Sequence, residues 1–491
     1  MKKIAIPKEV SDIVHALEGA SFEAYPVGGC VRDALLEIEP KDWDIATNAK
    51  PEEIRAIFPK TFYENKFYTV TIQTNSNNNA LKEIEITTFR SEGKYEDKRR
   101  PSDVKPAKSI EEDLSRRDFT VNAIALKIQN YEILDPFDGQ KDITAKLIRA
   151  VGNANERFEE DALRMLRAVR IAIALGFEIE KETASAIAHH AQLLKLISKE
   201  RVRDEFIKII SSDRAQKGIE LLNALGLLKY FLPEIEEGIG IGQNKHHIYT
   251  VWEHNLRALD YSAKENYEPL IRLAALFHDI AKPRSKRGDG HDSTFYGHDV
   301  LGAKMTIEVM ERLKFSRSEI EKVSKLVRWH LFNYDIDTDD ATTDSSIRRL
   351  IRNVGEENIA DLVRVRICDR IGSGVPKAIP YRLRHFQYRV EKVLREKEAI
   401  KVTMLKINGA DIIKLLGIKP GKKIGHILNA LLEEALDDSS KNTSEYLFMR
   451  VPELGKLSEK ELIILRKKAE EKSERAEEGR QEGIKKKYHV T

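Results

Sequence analysis

Two-residue alternation of apolar and polar side chains is confined to the first third of this chain; after that the apolar residues recur every three to four positions. Thr69-Val-Thr-Ile-Gln-Thr and Glu83-Ile-Glu-Ile-Thr-Thr-Phe alternate as half-buried strands do. The polar stretch Asn75-Ser-Asn-Asn-Asn between them predicts a turn, so the two strands pair as an antiparallel hairpin. With Tyr25-Pro-Val-Gly-Gly and a strand around Trp43 and Ile45, residues 1–145 read as mixed α/β. Gly93 to Lys108 is polar and rich in Lys, Arg and Pro, the composition of a loop. From Arg157 to Ser211 the period is helical, with Leu163, Leu166, Val169 and Ile173 on one face. Pro233, Gly238, Gly240 and Gly242 mark a boundary, residues 245–372 are helical and hold most of the histidines, and 376–455 form a third helical stretch with turns at Asn408-Gly409 and Pro420-Gly421. From Leu457 onward Glu, Lys and Arg dominate, as on a solvated helix or tail. The expected class is α+β, a head with a mixed sheet followed by all-α domains, divided at 1–150, 151–240, 241–375, 376–470 and a charged 471–491 tail.

Composition limits the function classes. A chain of 491 residues holds about three domains at roughly 150 residues each, and 41 % hydrophobic residues exclude global disorder. Lys and Arg number 83 against 80 Asp and Glu, so a nucleic-acid partner must be met by local basic surface rather than overall charge. The two cysteines, Cys30 and Cys368, exclude a disulfide scaffold and a Cys-rich zinc module. Met-Lys-Lys-Ile-Ala-Ile-Pro is not a secretory signal, and no run approaches the roughly 18 apolar residues of a membrane span. The expectation is a soluble, cytoplasmic protein with no membrane contact and no protein partner implied.

The chemistry starts at Gly28-Gly29-Cys30-Val31-Arg32-Asp33, followed by Asp42-Trp43-Asp44. Two glycines before a helix let backbone N–H groups approach phosphates, and Arg32 adds a charged fork to them. No Gly-Lys-Ser/Thr follows, so this is not the P-loop. Asp42 and Asp44, at i and i+2 of a strand, share a face and repel unless a cation lies between them; oxygen-only ligands suit Mg²⁺. Alone, either element has a plain structural reading, as a tight turn or a solvated strand edge. Coupled a dozen residues apart, they point to metal-assisted phosphoryl chemistry. Glu85 is a third carboxylate or simply part of a wet strand face with Glu83 and Thr87. Arg116 and Arg117 suit a triphosphate, and Asp118 and Asn122 suit a ribose contact or a helix cap. Asp135-Pro-Phe-Asp-Gly139 reads as a structural turn or hinge. In Glu160-Asp161-Ala-Leu-Arg164-Met-Leu-Arg167-Ala-Val-Arg170, a continuous helix sets Asp161 and Arg164 about 60° apart. They form a surface salt bridge, or they read a base: cytosine and adenine both offer an amino donor beside a ring-nitrogen acceptor, which Asp and Arg complement. Arg170 lies about 180° from Asp161 and suits a phosphate or the head–neck joint.

In this order, Gly-Gly-x-Val-Arg-Asp, Asp-x-Asp, Arg-Arg-Asp-Phe-Thr-x-Asn-Ala and Glu-Asp-x-x-Arg resemble the class II tRNA nucleotidyltransferases, the bacterial CCA-adding enzymes and their poly(A) polymerase relatives. The likeness extends to Glu200-Arg-Val-Arg-Asp-Glu and to Ile407-Asn-Gly-Ala-Asp-Ile-Ile-Lys-Leu-Leu-Gly-Ile-Lys-Pro-Gly. It implies a polymerase-β-like head, a helical neck, and a tRNA-binding body and tail. It also implies triphosphate contacts at Gly28, Gly29, Arg32 and Arg117, catalytic Mg²⁺ carboxylates at Asp42 and Asp44, base reading by Asp161 and Arg164, and further nucleotide contacts at Arg167 and Arg170. Ala162 departs from the proline often found there. Asp97-Lys-Arg99-Arg100-Pro101 resembles the flexible-loop motif tied to the terminal A, which disfavours a C-only enzyme.

His254, His278-Asp279, His298, His330 and Asp369 lie on successive helical segments, and mixed His and carboxylate donors suit Mn, Fe, Co, Ni or Zn. Singly each histidine is a structural residue; in this order they resemble an HD phosphohydrolase domain. That resemblance implies a divalent transition metal at His254, His278, Asp279 and Asp369, with His298 and His330 matching a second metal, and phosphatase or cyclic phosphodiesterase activity. The expected function is template-independent addition of C, C and A to tRNA from CTP and ATP. Alternatives are a poly(A) polymerase and an RNA-processing HD phosphohydrolase with an accessory RNA-binding head. An alarmone synthetase/hydrolase carries its domains in the reverse order, and the Asp42/Asp44 pair argues against a non-catalytic RNA-binding module.

Overall fold

The computed structural model describes residues 4–64, 68–92, 104–244, 248–288, 290–335, 342–374, 380–395 and 404–464. The Asp97–Pro101 motif and the 471–491 tail lie outside the described residues. The chain separates into two compact units, one built on the chain up to Glu236 together with Val309–Phe315, the other on Glu237–Glu308 and the chain from Ser316 on.

In the first unit, β1 (Ala24–Pro26), β2 (Asp44–Thr47), β3 (Thr61–Glu64), β4 (Thr69–Gln73) and β5 (Glu83–Thr88) form a sheet in the order β1-β2-β5-β4-β3. β2 and β5 run parallel and every other pair antiparallel, so the sheet is mixed, and β4 and β5 are the expected hairpin. Alternation sets the faces: Ile84, Ile86 and Thr88 of β5 are buried while Glu83 and Glu85 are exposed. Ile45, Val70, Ile84 and Ile86 are fully buried, each stabilising the sheet by roughly 1.5–3 kcal/mol. A second apolar cluster joins Val27, Phe89, Ile110, Leu114 and Val151 and fastens the Ile110–Ser115 helix to the sheet. The loop expected over Gly93–Lys108 contains a strand: β6 (Arg90–Glu92) pairs antiparallel with β7 (Val104–Pro106).

The neck bears out the helical period but not its continuity. Leu163, Leu166, Val169 and Ile173 are buried. The single helix expected across Asp161 is instead two, Ala154–Glu160 and Leu163–Leu175, with Asp161 between them at φ −141° and ψ 102°. Its own side chain supports the break: Oδ1 accepts the Leu163 N–H at 3.1 Å, the local bond by which aspartate competes with a helix.

The second unit is helical. Val251–Lys264 packs along Ile359–Gly372, with Pro269–Phe277 and Arg317–Trp329 completing the bundle, and the helix beginning at His298 meets the last of these at Gly302 and Asp299. The first of these is closed by a capping box between Thr250 and Glu253. Gly409–Leu416, Lys422–Asp437 and Ser444–Gly455 share a separate core that includes Ile412, Ile427, Leu431, Leu447 and Val451. No described helix is long and apolar enough to cross a membrane.

Candidate functional site

Asp42 lies in the bend before β2 and Asp44 is the strand's first residue, so the i, i+2 strand rule does not itself align them. Both nevertheless line one cleft of about 410 Å³, together with Trp43, Thr71, Glu83 and Glu85. The parallel register sets Glu85 directly beside Asp44, so the third carboxylate left open by the sequence faces the same space. Burial, then the charges of Asp42 and Glu85, push the Asp44 carboxyl up to about 6, with Arg117 pulling the other way. Asp42, Asp44 and Glu85 thus place three carboxylates along one cleft, and oxygen donors are the type that suits a hard divalent cation.

The glycine turn abuts this cleft. Val27 donates its N–H to the Asp44 carbonyl at 3.0 Å, and Gly28 donates to the Ile124 carbonyl at 3.0 Å. Gly28 has φ +82°, and a Cβ there would stand 2.7 Å from Arg117 Nη1, so only glycine permits both the turn and the arginine lying on it. The Gly29–Leu35 helix follows, and Arg32 on its first turn donates to Asp33 at 2.7 Å and to Asn122 Oδ1 at 2.5 Å. Arg117 donates to Asp113 at 3.1 Å. Asp118 does not cap a helix but ties the turn together: Oδ1 accepts the Phe119 N–H at 2.9 Å and Asn122 Nδ2 at 3.3 Å, while Oδ2 accepts Arg167 Nε at 2.7 Å.

Asp161 and Arg164 do not share a helix. Asp161 accepts two bonds from Arg201 of the Lys199–Ile210 helix, at 2.6 and 3.3 Å. Arg164 pairs with Glu160 and donates to the carbonyls of Arg157 and Arg116 at 3.2 and 3.1 Å. Arg170 pairs at 2.7 Å with buried Glu205, joining two neck helices. Sequence reasoning missed Asp113, and it singled out the segment holding Arg201 and Glu205 without assigning either a partner. Asp113 was detectable from its i+3 and i+4 spacing to Arg116 and Arg117; the other two required the helix packing.

In the second unit the six expected residues converge. His254 Nε2 lies 2.7 Å from His278 Nε2, 3.0 Å from Asp279 Oδ2 and 3.3 Å from Asp369 Oδ1. The other oxygen, Asp279 Oδ1, faces His298 Nε2 at 3.3 Å and His330 Nε2 at 3.6 Å. Asp279 therefore stands between two donor groups. Nδ1 of His278, His298 and His330 each meets the carbonyl three residues earlier, at 2.7, 2.5 and 2.7 Å, which aims Nε2 inward as a ligand. Gly372 gives His254 its place, since a Cβ there would stand 2.8 Å from the His254 carbonyl. Burial opposes a charge on His278, and the neighbouring Asp279 and Asp369 carboxylates outweigh it, raising its pKa to about 10. Asp279 Oδ1 and Nε2 of His298 and His330 are buried without a well-aligned hydrogen bond, an arrangement compatible with metal ligation. Lys282, also missed from sequence, lies 2.6 Å from Asp279 Oδ2 and donates to Gln243 at 2.7 Å.

Known proteins match the chain in three successive segments. Residues 24–149 match the Poly A polymerase head domain, 176–239 the probable RNA and SrmB-binding site of polymerase A, and 251–373 the HD domain. A CCA-adding enzyme of Enterococcus faecalis is 32 % identical, the match covering 91 % of this chain and 97 % of that protein. An A-adding tRNA nucleotidyltransferase of Deinococcus radiodurans is 35 % identical over 66 % of this chain and 75 % of its own length. The crystal structure of the Bacillus stearothermophilus CCA-adding enzyme in complex with CTP superposes with a TM-score of 0.68 at 29 % identity, covering 91 % of this chain and 98 % of that one. A match over nearly the full length of both proteins, with the carboxylate cleft in one unit and the histidine cluster in the other, shows that this chain belongs to the bacterial CCA-adding enzyme family and carries an HD domain.

Proposed function

We propose that this protein adds C, C and A in turn to the 3′ end of tRNA, from CTP and ATP, without a template and with release of pyrophosphate. The observation that carries the reading is the single cleft in which Asp42, Asp44 and Glu85 converge next to the Gly28 turn bearing Arg117. The all-oxygen donor set fits Mg²⁺, which when bound would activate the attacking 3′ hydroxyl and steady the triphosphate. Asp42 and Asp44 hold that cation. The N–H groups of Gly28 and Gly29 with Arg32 and Arg117 bind the triphosphate, where Arg forks match phosphate geometry. Asp161 accepts from the base amino group with the acceptor capacity that Arg201 and the Leu163 N–H leave, and Arg164 donates to the ring nitrogen by exchanging one of its carbonyl partners. Arg167, 38 % exposed beyond its bond to Asp118, turns its remaining donors to the nucleotide. Arg170 acts at one remove, through Glu205.

In this reading residues 1–150 are the nucleotidyltransferase head, 151–240 the nucleotide- and RNA-binding neck, 241–375 the HD domain, 376–470 the tRNA-binding body and tail, and 471–491 a charged extension. Work on tRNA sets the protein in the cytoplasm. The HD cluster, with its mixed imidazole and carboxylate donors, fits a transition metal and hydrolysis of a phosphate ester.

The test is incubation of the purified full chain with tRNA lacking its 3′ terminus, each nucleotide offered alone and then all together. CTP alone adds two residues, and ATP completes them with one. Extension only of tRNA already ending in CC marks an A-adding enzyme, and runs of A mark a poly(A) polymerase. Asp42→Ala and Asp44→Ala abolish addition with the fold intact; turnover in either variant near that of the parent protein refutes the metal assignment.

A further inference from the structure

The guanidinium lying on the glycine turn owes its position to one buried carboxylate. Asp113, in the last turn of the Ile110–Ser115 helix, has a side chain only 1 % exposed. Its Oδ1 accepts Arg116 Nε and Nη2 at 2.9 and 2.8 Å, and the backbone N–H of Arg90, at the start of β6, at 3.3 Å. Its Oδ2 accepts Arg117 Nη2 at 3.1 Å. The other end of that fork, Nη1, is the atom that crowds Gly28. The Arg116 carbonyl in turn accepts Arg164 Nη2 at 3.1 Å. Burial works against a charged Asp113, but the two arginines more than offset it and hold the carboxyl below the usual range, so the anion persists throughout the neutral pH range.

We propose that Asp113 is the positioning residue of the triphosphate clamp: it presets Arg117 over the glycine turn. An unrestrained arginine samples many rotamers, whereas a fork fixed by a buried carboxylate meets the phosphates already ordered. Adjacent Arg116 and Arg117 repel each other, and Asp113 offsets that repulsion before any nucleotide arrives. The proposal rests on the reading of Arg117 as a triphosphate contact.

The experiment compares D113N, D113E, R117A and D113N/R117A in the full chain, by steady-state addition of ATP to tRNA ending in CC and by calorimetric titration with CTP. In D113N the amide keeps the shape, removes the charge and turns donors toward the guanidinium groups. Loss of a charge-assisted bond predicts that kcat/KM for ATP and affinity for CTP both fall about tenfold to a hundredfold, chiefly as a raised KM, with affinity for tRNA unchanged. The double variant is expected to be no worse than R117A, because Asp113 acts through Arg117. Losses that multiply in the double variant overturn the proposal, as does a D113N protein with the CTP affinity of the parent. D113E keeps the charge but displaces the fork by one methylene; it should still unfold cooperatively, at a lower midpoint, and lose severalfold in CTP affinity, and full affinity there also overturns the proposal. Absence of addition by the parent protein would refute the functional reading, while the CTP titrations would still decide the role of Asp113.

Discussion

Arg167→Ala measures how firmly the neck holds the head's nucleotide-facing turn. Asp118 is 7 % exposed, with Arg167 on one oxygen and Phe119 N–H and Asn122 on the other. Burial by itself would raise this carboxyl; Arg167, then Arg164 and Asn122, outweigh it and bring it from the ordinary 3.8 down to about 2. At roughly 1.4 kcal/mol per pH unit, that difference is about 2 kcal/mol of stability. Because folding lowers this carboxyl, the contribution is whole above about pH 4 and is lost as the pH falls through about 2. Without Arg167 the ionised Asp118 is poorly compensated. The expected cost at pH 7 is about 2–3 kcal/mol, short of the roughly 3–5 of a fully buried pair because Arg167 is 38 % exposed. Adding Asp118→Asn removes the stranded charge and should recover most of that loss. The assay is urea unfolding followed by Trp43, made the sole tryptophan by Trp252→Phe and Trp329→Phe and located in the head at 3 % exposure. The gap between parent and Arg167→Ala should narrow from pH 7 toward pH 2. A gap independent of pH, or additive losses in the double variant, would refute the reasoning.

Asp161→Ala or Arg164→Ala should weaken CTP and ATP use and admit UTP or GTP, at about tenfold to a hundredfold per contact, read by incorporation of all four nucleotides. Glu160→Ala should share part of that loss, because Glu160 holds Arg164; unchanged selectivity in all three reduces the group to structural ion pairs. Arg99→Ala/Arg100→Ala should impair the final A more than the two C additions, whereas equal loss at each step makes that stretch a general basic patch. His278→Ala/Asp279→Ala should lower bound transition metal, measured by elemental analysis, and remove phosphohydrolase activity while sparing CCA addition; loss of addition in a folded variant would couple the two sites.

Much of this was legible because its signal is local. Alternation in Thr69–Gln73 and Glu83–Thr88 yields a hairpin whose faces follow from the pleat, and the period through Leu163, Leu166, Val169 and Ile173 yields a buried helical face. The histidine cluster was legible for another reason: the order of its His and Asp residues on successive helices resembles an HD domain, and folding brings those residues together. The helix through Asp161 was misread because periodicity extends across a residue whose side chain can take over a backbone N–H, and period alone does not register that competition.

The amino-acid sequence by itself therefore determined the classes of structure and the residue types each site requires: a glycine turn, paired carboxylates, an Asp and an Arg for a base, and a His/Asp cluster. Tertiary structure alone decided which charges meet. Asp161 goes to Arg201, forty positions away, and Arg167 to Asp118, forty-nine away. Asp113, one turn from its arginines, acquires its role only because folding buries it and brings Gly28 under Arg117. Charge pairing at such separations depends on how helices and strands pack. Propensity and periodicity act over a few residues, so they carry no information about that packing.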